Sequence, residues 1–232
     1  MLVIATDGEL YGHHKNHRDY FLARLVDGAS EGAGLYPTYP ALWLKDHPVR
    51  QSVGILERSS WSCHHGVTRW SGACACTPGR AEWKALLRQA FDRLASELDG
   101  LFLEALSPLV RDPWLLRERY IHVLLGQTGL PALIGAQTER TLTHDQVRRV
   151  TLLLEGQRER QRMFTSCGWF FEDFDRIEPR NCVAYAAQAV RLARQATGVD
   201  LASDTIKDLN QVISPRSGLS AAQVFASYLA NP

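Results

Sequence analysis

The sequence lacks an excess of charge of either sign. Its 26 Lys and Arg residues are balanced by 25 Asp and Glu residues, which leaves a formal net charge of +1 for 232 residues. A chain with so little net charge has no general electrostatic attraction for nucleic acid or for an anionic membrane surface. We therefore expect a neutral or locally recognised ligand, with no nucleic acid and no membrane as partners.

Cysteine is also scarce, with five residues, an odd number for a chain of this length. This does not fit a disulfide framework, which pairs an even number of cysteines. No apolar run approaches the ~20 residues of a membrane span, and no basic leader precedes the first apolar run. These absences predict a soluble protein of the reducing cytoplasm.

The apolar run at residues 2–6 is followed at once by acids, glycines and histidines. A buried strand has this composition when it delivers ionisable groups to the rim of a sheet or barrel. Asp7 and Glu9 are two residues apart, so a continuing strand would place both carboxyls on one side, about 6–7 Å apart. Glycoside hydrolysis uses two carboxyls about 5–9.5 Å apart. The alternative is an ordinary turn at Asp7-Gly8 with solvated side chains.

Histidines follow the two acids closely. His13, His14 and His17 could bind a divalent metal together with Asp7, as in some hydrolases and deacetylases. The alternative is a helix that simply begins with exposed histidines.

A second short apolar segment, Val53 to Leu56, also leads into a polar and aromatic cluster. This cluster contains donors suited to a structural zinc ion: Cys63, His64, His65, Cys74 and Cys76. Their spacing differs from the familiar C-x-x-C pair, and buried free thiols are the alternative. Cys167 could join the cluster in space. A structural zinc ion is the metal that this cluster suggests, with Cys63, His65, Cys74 and Cys76 as its candidate ligands.

Aromatic residues lie among polar groups in the irregular parts of the chain, and they include Trp61, Trp70 and the run Trp169-Phe170-Phe171. Sugars stack their C–H faces on such rings while their hydroxyls bind nearby carboxylates, so a carbohydrate site fits. The rings could also form the seam between an N-terminal piece and the helices.

From Ala81 onward the pattern is helical. Apolar residues from Trp83 to Ala105 recur at helical spacing, and helices are also expected from Asp112-Pro113, from Thr143 to about Met163, from Pro179 to Thr197, and from Ser220 to Leu229. Thr143 and Gln146 have the spacing of a capping box. The sequence thus predicts a mostly α protein with a small α/β piece at residues 1–78, followed by a helical bundle at residues 79–232.

Two sets of residues resemble known families. Ala5-Thr6-Asp7-Gly8-Glu9-Leu10-Tyr11-Gly12-His13-His14 resembles the fourth sequence region of glycoside hydrolase family 57, and Glu57 to Ser62 is more loosely similar to its fifth region. The remainder resembles domain of unknown function 3536, which accompanies family 57 catalytic regions in bacterial proteins. The strings that carry this resemblance are Ser60 to Trp70, Cys74-Ala75-Cys76, Arg111 to Trp114, Met163 to Asp173, and Ile177-Glu178.

The resemblance implies the end of a (β/α)7 barrel followed by a helical domain, in a retaining enzyme that hydrolyses or transfers α-glucan or a related oligosaccharide. It implies that Asp7 is the general acid/base. It places Glu9 and His13 beside Asp7 in the substrate cleft, with Trp61 on the opposite wall. His14, Trp70 and Trp169 complete the set of residues that we expect to bind substrate. The resemblance implies that no cofactor is required.

The regions that supply the glutamate nucleophile of family 57 have no counterpart in this sequence. A retaining mechanism cannot form its covalent intermediate without a nucleophile. We therefore expect the missing barrel segment to lie upstream or in a partner chain, and the isolated chain to be inactive. The alternatives are a non-catalytic carbohydrate-binding or regulatory module, and a metal-dependent deacetylase-like hydrolase. Strands without neighbours would also favour dimerisation or poor solubility.

Overall fold

Helices make up most of the chain, and strand structure is almost absent. The computed structural model describes residues 2–12, 15–77 and 79–230, which divide into the units Met1–Leu56 and Glu57–Pro232. The α-helices of the described residues are α1 Arg18–Arg24, α2 Pro40–Asp46, α3 Trp83–Leu106, α4 Pro113–Leu124, α5 Leu130–Gly135, α6 His144–Arg162, α7 Ile177–Thr197, α8 Ala202–Leu209 and α9 Ala221–Ala230. None of them is long and apolar enough to cross a bilayer.

The first unit contains α1, α2 and short helical turns joined by irregular segments. Neither apolar segment predicted as a strand has regular secondary structure, at residues 2–7 or at residues 51–56. Neither segment forms a strand in this structure, and the described residues form no sheet or barrel. A strand needs hydrogen-bonded neighbours. The β-bridge found among the described residues joins Ile213 to Ser220, both in the second unit.

The second unit is a helical domain, as predicted. Its centre is α7, which packs against α6, α9, α3 and the 3-10 turn Ser166–Trp169. The buried face of α7 is rich in alanine and valine, including Ala186, Ala187, Ala189 and Val190. Small side chains on this face let the neighbouring helices approach closely.

The buried side chains of this unit form two apolar clusters, and α3 contributes to both. Trp83, Phe91 and Leu98 lie in the first cluster, which also includes α7 and α9. Phe102 and Leu106, at the other end of α3, lie in the second cluster with residues of α4, α5 and α6. The predicted apolar stripe of α3 is thus its buried face.

The helix ends follow the predicted capping signals. The hydroxyl of Thr143 accepts from the backbone N–H of Gln146, and the Gln146 side chain accepts from the N–H of Thr143. Asp112 caps α4 by accepting from the N–H of Leu115, and Gly198 ends α7 with a φ of +79°. The helices α5 and α8 are short and were not predicted.

Residues 57–77 belong to the helical unit, whereas the sequence pattern predicts them in the N-terminal piece. Indole N–H groups attach this segment and its neighbours to distant backbone carbonyls. Trp70 Nε1 donates to the carbonyl of Ser166 at 3.1 Å, and Trp169 Nε1 donates to that of Lys84 at 3.3 Å. These bonds hold the segment beside the N-terminal end of α3 and the turn Ser166–Trp169.

Candidate functional site

Three cysteines and one histidine converge in the segment 57–77. We call Cys63, His65, Cys74 and Cys76 the Cys3His cluster; its four candidate ligand atoms all lie within 4.8 Å of one another. The cysteines are free thiols, and Cys63 and Cys74 are buried. These residues could hold a metal ion, since thiolate and imidazole are the preferred ligands of structural zinc.

Five of the distances between ligand atoms of the cluster lie between 3.2 and 3.8 Å. Cys63 Sγ lies 3.6 Å from the Sγ atoms of both Cys74 and Cys76. His65 Nδ1 lies 3.2 Å from Cys76 Sγ, 3.5 Å from Cys74 Sγ and 3.8 Å from Cys63 Sγ. The four ligand atoms are therefore close enough to one another to bind a single ion placed between them.

A tight turn brings the first two ligands together. The N–H of Gly66 donates to the carbonyl of Cys63 at 3.1 Å, and Gly66 has a φ of +69°. A Cβ at Gly66 would lie 2.4 Å from the carbonyl oxygen of Arg58, so only glycine fits this position. Glycine at this position thus permits the turn that carries Cys63 and His65.

Two buried cations lie next to the Cys3His cluster. Arg69 is 7% exposed, donates to the carbonyl of Cys76 at 3.5 Å and covers the ring of Phe170 at 4.5 Å. Its Nε is buried and has no hydrogen-bond partner among the described residues. The hydrogen bond and the ring contact therefore offset only part of the cost of burying the Arg69 guanidinium.

Lys84 is the second cation, and it is 0% exposed. Its Nζ donates to the hydroxyl of Thr77 at 3.3 Å. Burial, and after it repulsion from Arg69, lowers the pKa of Lys84 to about 8. None of the ion pairs between described residues includes Arg69 or Lys84.

Neither cation is predicted by a sequence motif, although the position of Lys84 carries a signal. Lys84 precedes Leu87, Phe91 and Leu94 by three, seven and ten residues, so it occupies the apolar stripe of α3. A lysine on a buried helical stripe requires a partner, because burying an unpaired charge is costly. No comparable pattern distinguishes Arg69.

The predicted catalytic acids lie in the first unit and are exposed. Asp7 directly precedes the 3-10 turn Gly8–Tyr11, its carbonyl accepts from the N–H of Leu10 at 3.1 Å, and its side chain makes no cap. Glu9 lies within that turn. The strand that would have aligned the two carboxyls is absent, and His13 and His14 lie outside the described residues.

The three tryptophans proposed to bind substrate differ in accessibility. Trp61 is 84% exposed and offers its ring to solvent. Trp70 is half-buried and held by its bond to Ser166. Trp169 is 1% exposed and packs edge-on against Phe91, so neither face of its ring is open to a ligand in this structure. Trp169 instead anchors the core beneath the segment 57–77.

The helical part of the chain matches a known family model. Residues 80–230 match the model described as Domain of unknown function (DUF3536). No curated protein and no solved structure matches the chain. The matched range covers the helices from α3 to α9 and begins just after the Cys3His cluster.

Proposed function

Because the chain belongs to the DUF3536 family, and because its first residues resemble a region of glycoside hydrolase family 57, we propose that it forms the C-terminal part of a carbohydrate-active enzyme. The substrate class is α-glucan or a related oligosaccharide, either hydrolysed or transferred with retention of configuration. Asp7 acts as the general acid/base, and Glu9, His13, His14, Trp61 and Trp70 bind the sugar.

The observation that carries this proposal is the exposure of apolar residues beside the proposed catalytic ones. Leu2, Val3 and Ile4, just before Asp7, are 67–70% exposed, and Val53 and Ile55, before the second polar cluster, are 91% and 87% exposed. β-Branched residues favour a sheet, and their exposure costs hydrophobic free energy. These segments therefore fit as strands of a barrel whose other strands come from elsewhere.

The upstream segment or partner chain that supplies the other strands would also supply the nucleophile. In a retaining glycosidase the two carboxyls lie about 5–5.5 Å apart on either side of the scissile bond. Asp7 would donate a proton to the leaving oxygen and then take one from water, while the partner's carboxylate forms the glycosyl intermediate. The chain on its own should bind sugar without turning it over.

Sugar binding is the first test, using a linear α-1,4-linked glucose heptamer and isothermal titration calorimetry. Trp61→Ala should weaken binding about tenfold or more, since exposed aromatic rings supply much of the free energy of such contacts. The control is Tyr228→Ala on α9, which removes a partly exposed ring from another part of the helical unit and should leave binding unchanged. Equal affinity of Trp61→Ala and the unsubstituted chain would refute the role of Trp61.

Turnover is the second test, measured on the complete natural protein that contains this chain. Asp7→Asn keeps the size of the side chain but replaces the carboxyl with an amide, which cannot donate or accept the catalytic proton. The kcat should therefore fall by about 10²–10⁴ with binding retained. Asp19→Asn, an exposed acid in the first turn of α1, is the matched control. Undiminished turnover of Asp7→Asn would exclude its role as acid/base. Binding without turnover by the complete protein would favour a non-catalytic binding module.

A further inference from the structure

We propose that the Cys3His cluster binds one zinc ion, and that Arg69 and Lys84 are the buried counter-charges of this centre. The inference does not depend on the carbohydrate function. It rests on the positions of the four ligand atoms and on the two cations beside them.

The observed distances fit a tetrahedral zinc site. Zn–S bonds of ~2.3 Å and Zn–N bonds of ~2.0–2.1 Å separate two sulfurs by about 3.8 Å, and a sulfur from a nitrogen by about 3.6 Å. The cluster has sulfur pairs at 3.6 Å and sulfur-to-nitrogen distances of 3.2 to 3.8 Å. Only small shifts of the side chains would complete the coordination.

Charge gives an independent argument for an anionic centre. When three thiols release their protons to solvent and bind Zn²⁺ with a neutral imidazole, the centre carries a net charge of −1. Arg69 and Lys84 are buried beside it and make no ion pair with a carboxylate among the described residues. Buried cations are stable when an anion is near. The metal-bound thiolates are the anion that these residues lack.

The centre would be closed and structural. All four positions of the tetrahedron are taken by protein ligands, so none is free for water or substrate. The turn at Gly66 and the bond from Trp70 to Ser166 join the cluster to the helical unit. Zinc would therefore fix residues 57–77, including the exposed ring of Trp61, on the end of α3.

Zinc content is the primary test. The purified chain, dialysed against metal-free buffer with a reductant, should contain one zinc ion per chain by plasma mass spectrometry. Cys74→Ser should lose the metal, whereas Cys167→Ser should keep it, because Cys167 is an exposed thiol outside the cluster. Absence of zinc even after addition of ZnCl₂, a bound iron ion, or a Cys63–Cys74 disulfide would each overturn the proposal.

Cobalt substitution keeps the test decisive if Cys74→Ser does not fold. Co²⁺ in the wild-type site should give the visible bands of tetrahedral coordination and a strong sulfur-to-cobalt absorption in the near ultraviolet. His65→Cys should still bind the metal, with increased charge-transfer absorption from a fourth thiolate. A six-coordinate spectrum of wild-type protein would contradict the assigned ligands.

The counter-charge role is tested at Lys84. Lys84→Met preserves the length of the side chain and removes its charge, so the metal affinity measured by competition with a chelator should fall about tenfold, as for other outer-shell substitutions. Lys207→Met is the control, since Lys207 is exposed and pairs with Asp204 on α8. Unchanged affinity of Lys84→Met, with zinc still bound, would refute the counter-charge role.

Discussion

At the scale of single residues, close packing leaves no room for a side chain at Gly168. Gly168, in the turn Ser166–Trp169, is buried against α7, and a Cβ there would lie 2.4 Å from Cys182 Sγ. Burial, and after it the neighbouring Cys167, raises the pKa of the Cys182 thiol to about 12, so this group stays protonated at neutral pH. Cys182 thus behaves as a small apolar side chain that fills the space left by Gly168.

Gly168→Ala should destabilise the helical unit by about 1–3 kcal/mol, because the added methyl group overpacks the contact with Cys182. The measurement is chemical denaturation followed by circular dichroism. Gly100→Ala is the matched control: Gly100 is exposed within α3 and has open space around it, so alanine there should stabilise by about 0.5–1 kcal/mol. A double variant with Cys182→Ala should recover part of the loss. Equal effects at the two glycines would argue against the steric explanation.

At the scale of elements, the helices could be predicted from the sequence where local signals agree with burial. The stripe of α3, the Asp112-Pro113 start of α4 and the Thr143–Gln146 box at α6 all have their expected roles. The short helices α5 and α8 were missed because a segment of six to eight residues carries too few apolar repeats to reveal a period.

Thr143→Ala should cost about 1 kcal/mol of stability, since it leaves the N–H of Gln146 without its acceptor. Thermal unfolding monitored at 222 nm would measure the loss. Thr141→Ala, an exposed position just before the helix, removes the same atoms without a cap and should change the midpoint little. A similar change in both variants would show that the capping bond contributes nothing measurable.

The two apolar segments form no strands in this structure, and the reason is physical. Strand propensity describes how a residue fits a half-buried pleated surface, and that surface depends on neighbours. Residues 2–6 and 53–56 have the composition of strands, but no sheet forms among the described residues of this chain. The Cys3His cluster was easier to predict, because four ligands within fourteen residues are held close by the chain itself.

Some site residues could be predicted from the sequence, whereas the roles of others depend on the folded chain. The residues of the Cys3His cluster could be identified as candidate metal ligands by their type. The two cations required the fold, because Arg69 and Lys84 approach the cluster from different segments. Trp169 could not be distinguished from Trp61 by its sequence context. Its burial depends on contacts with α3 that only the folded chain provides.

At the scale of the whole molecule, the two units differ in how much apolar surface they bury. The side chains of the first unit are mainly exposed, whereas the second contains both apolar clusters. Hydrophobic burial is the main source of folding free energy. The second unit should therefore be stable without the first.

A fragment of residues 57–232 should keep the helical circular dichroism and the unfolding midpoint of the whole chain. It should also be less prone to associate in light scattering, because it lacks the exposed apolar residues Leu2, Val3, Ile4, Val53 and Ile55. The complementary comparison is the whole chain at the same concentration. Loss of cooperative unfolding in the fragment would mean that the first unit contributes to the fold of the second.

The length of α3 has a consequence for how the helical unit melts. Its 24 residues extend over ~36 Å, and one end lies in the first apolar cluster while the other lies in the second. If either cluster unfolded, the adjoining end of α3 would fray, and the other cluster would lose part of the helix that it packs against. Partial unfolding would therefore gain little conformational entropy relative to the contacts that it loses. The two clusters therefore unfold as one cooperative unit, and a substitution that destabilises the helix at Lys84 would also destabilise the packing at Leu106.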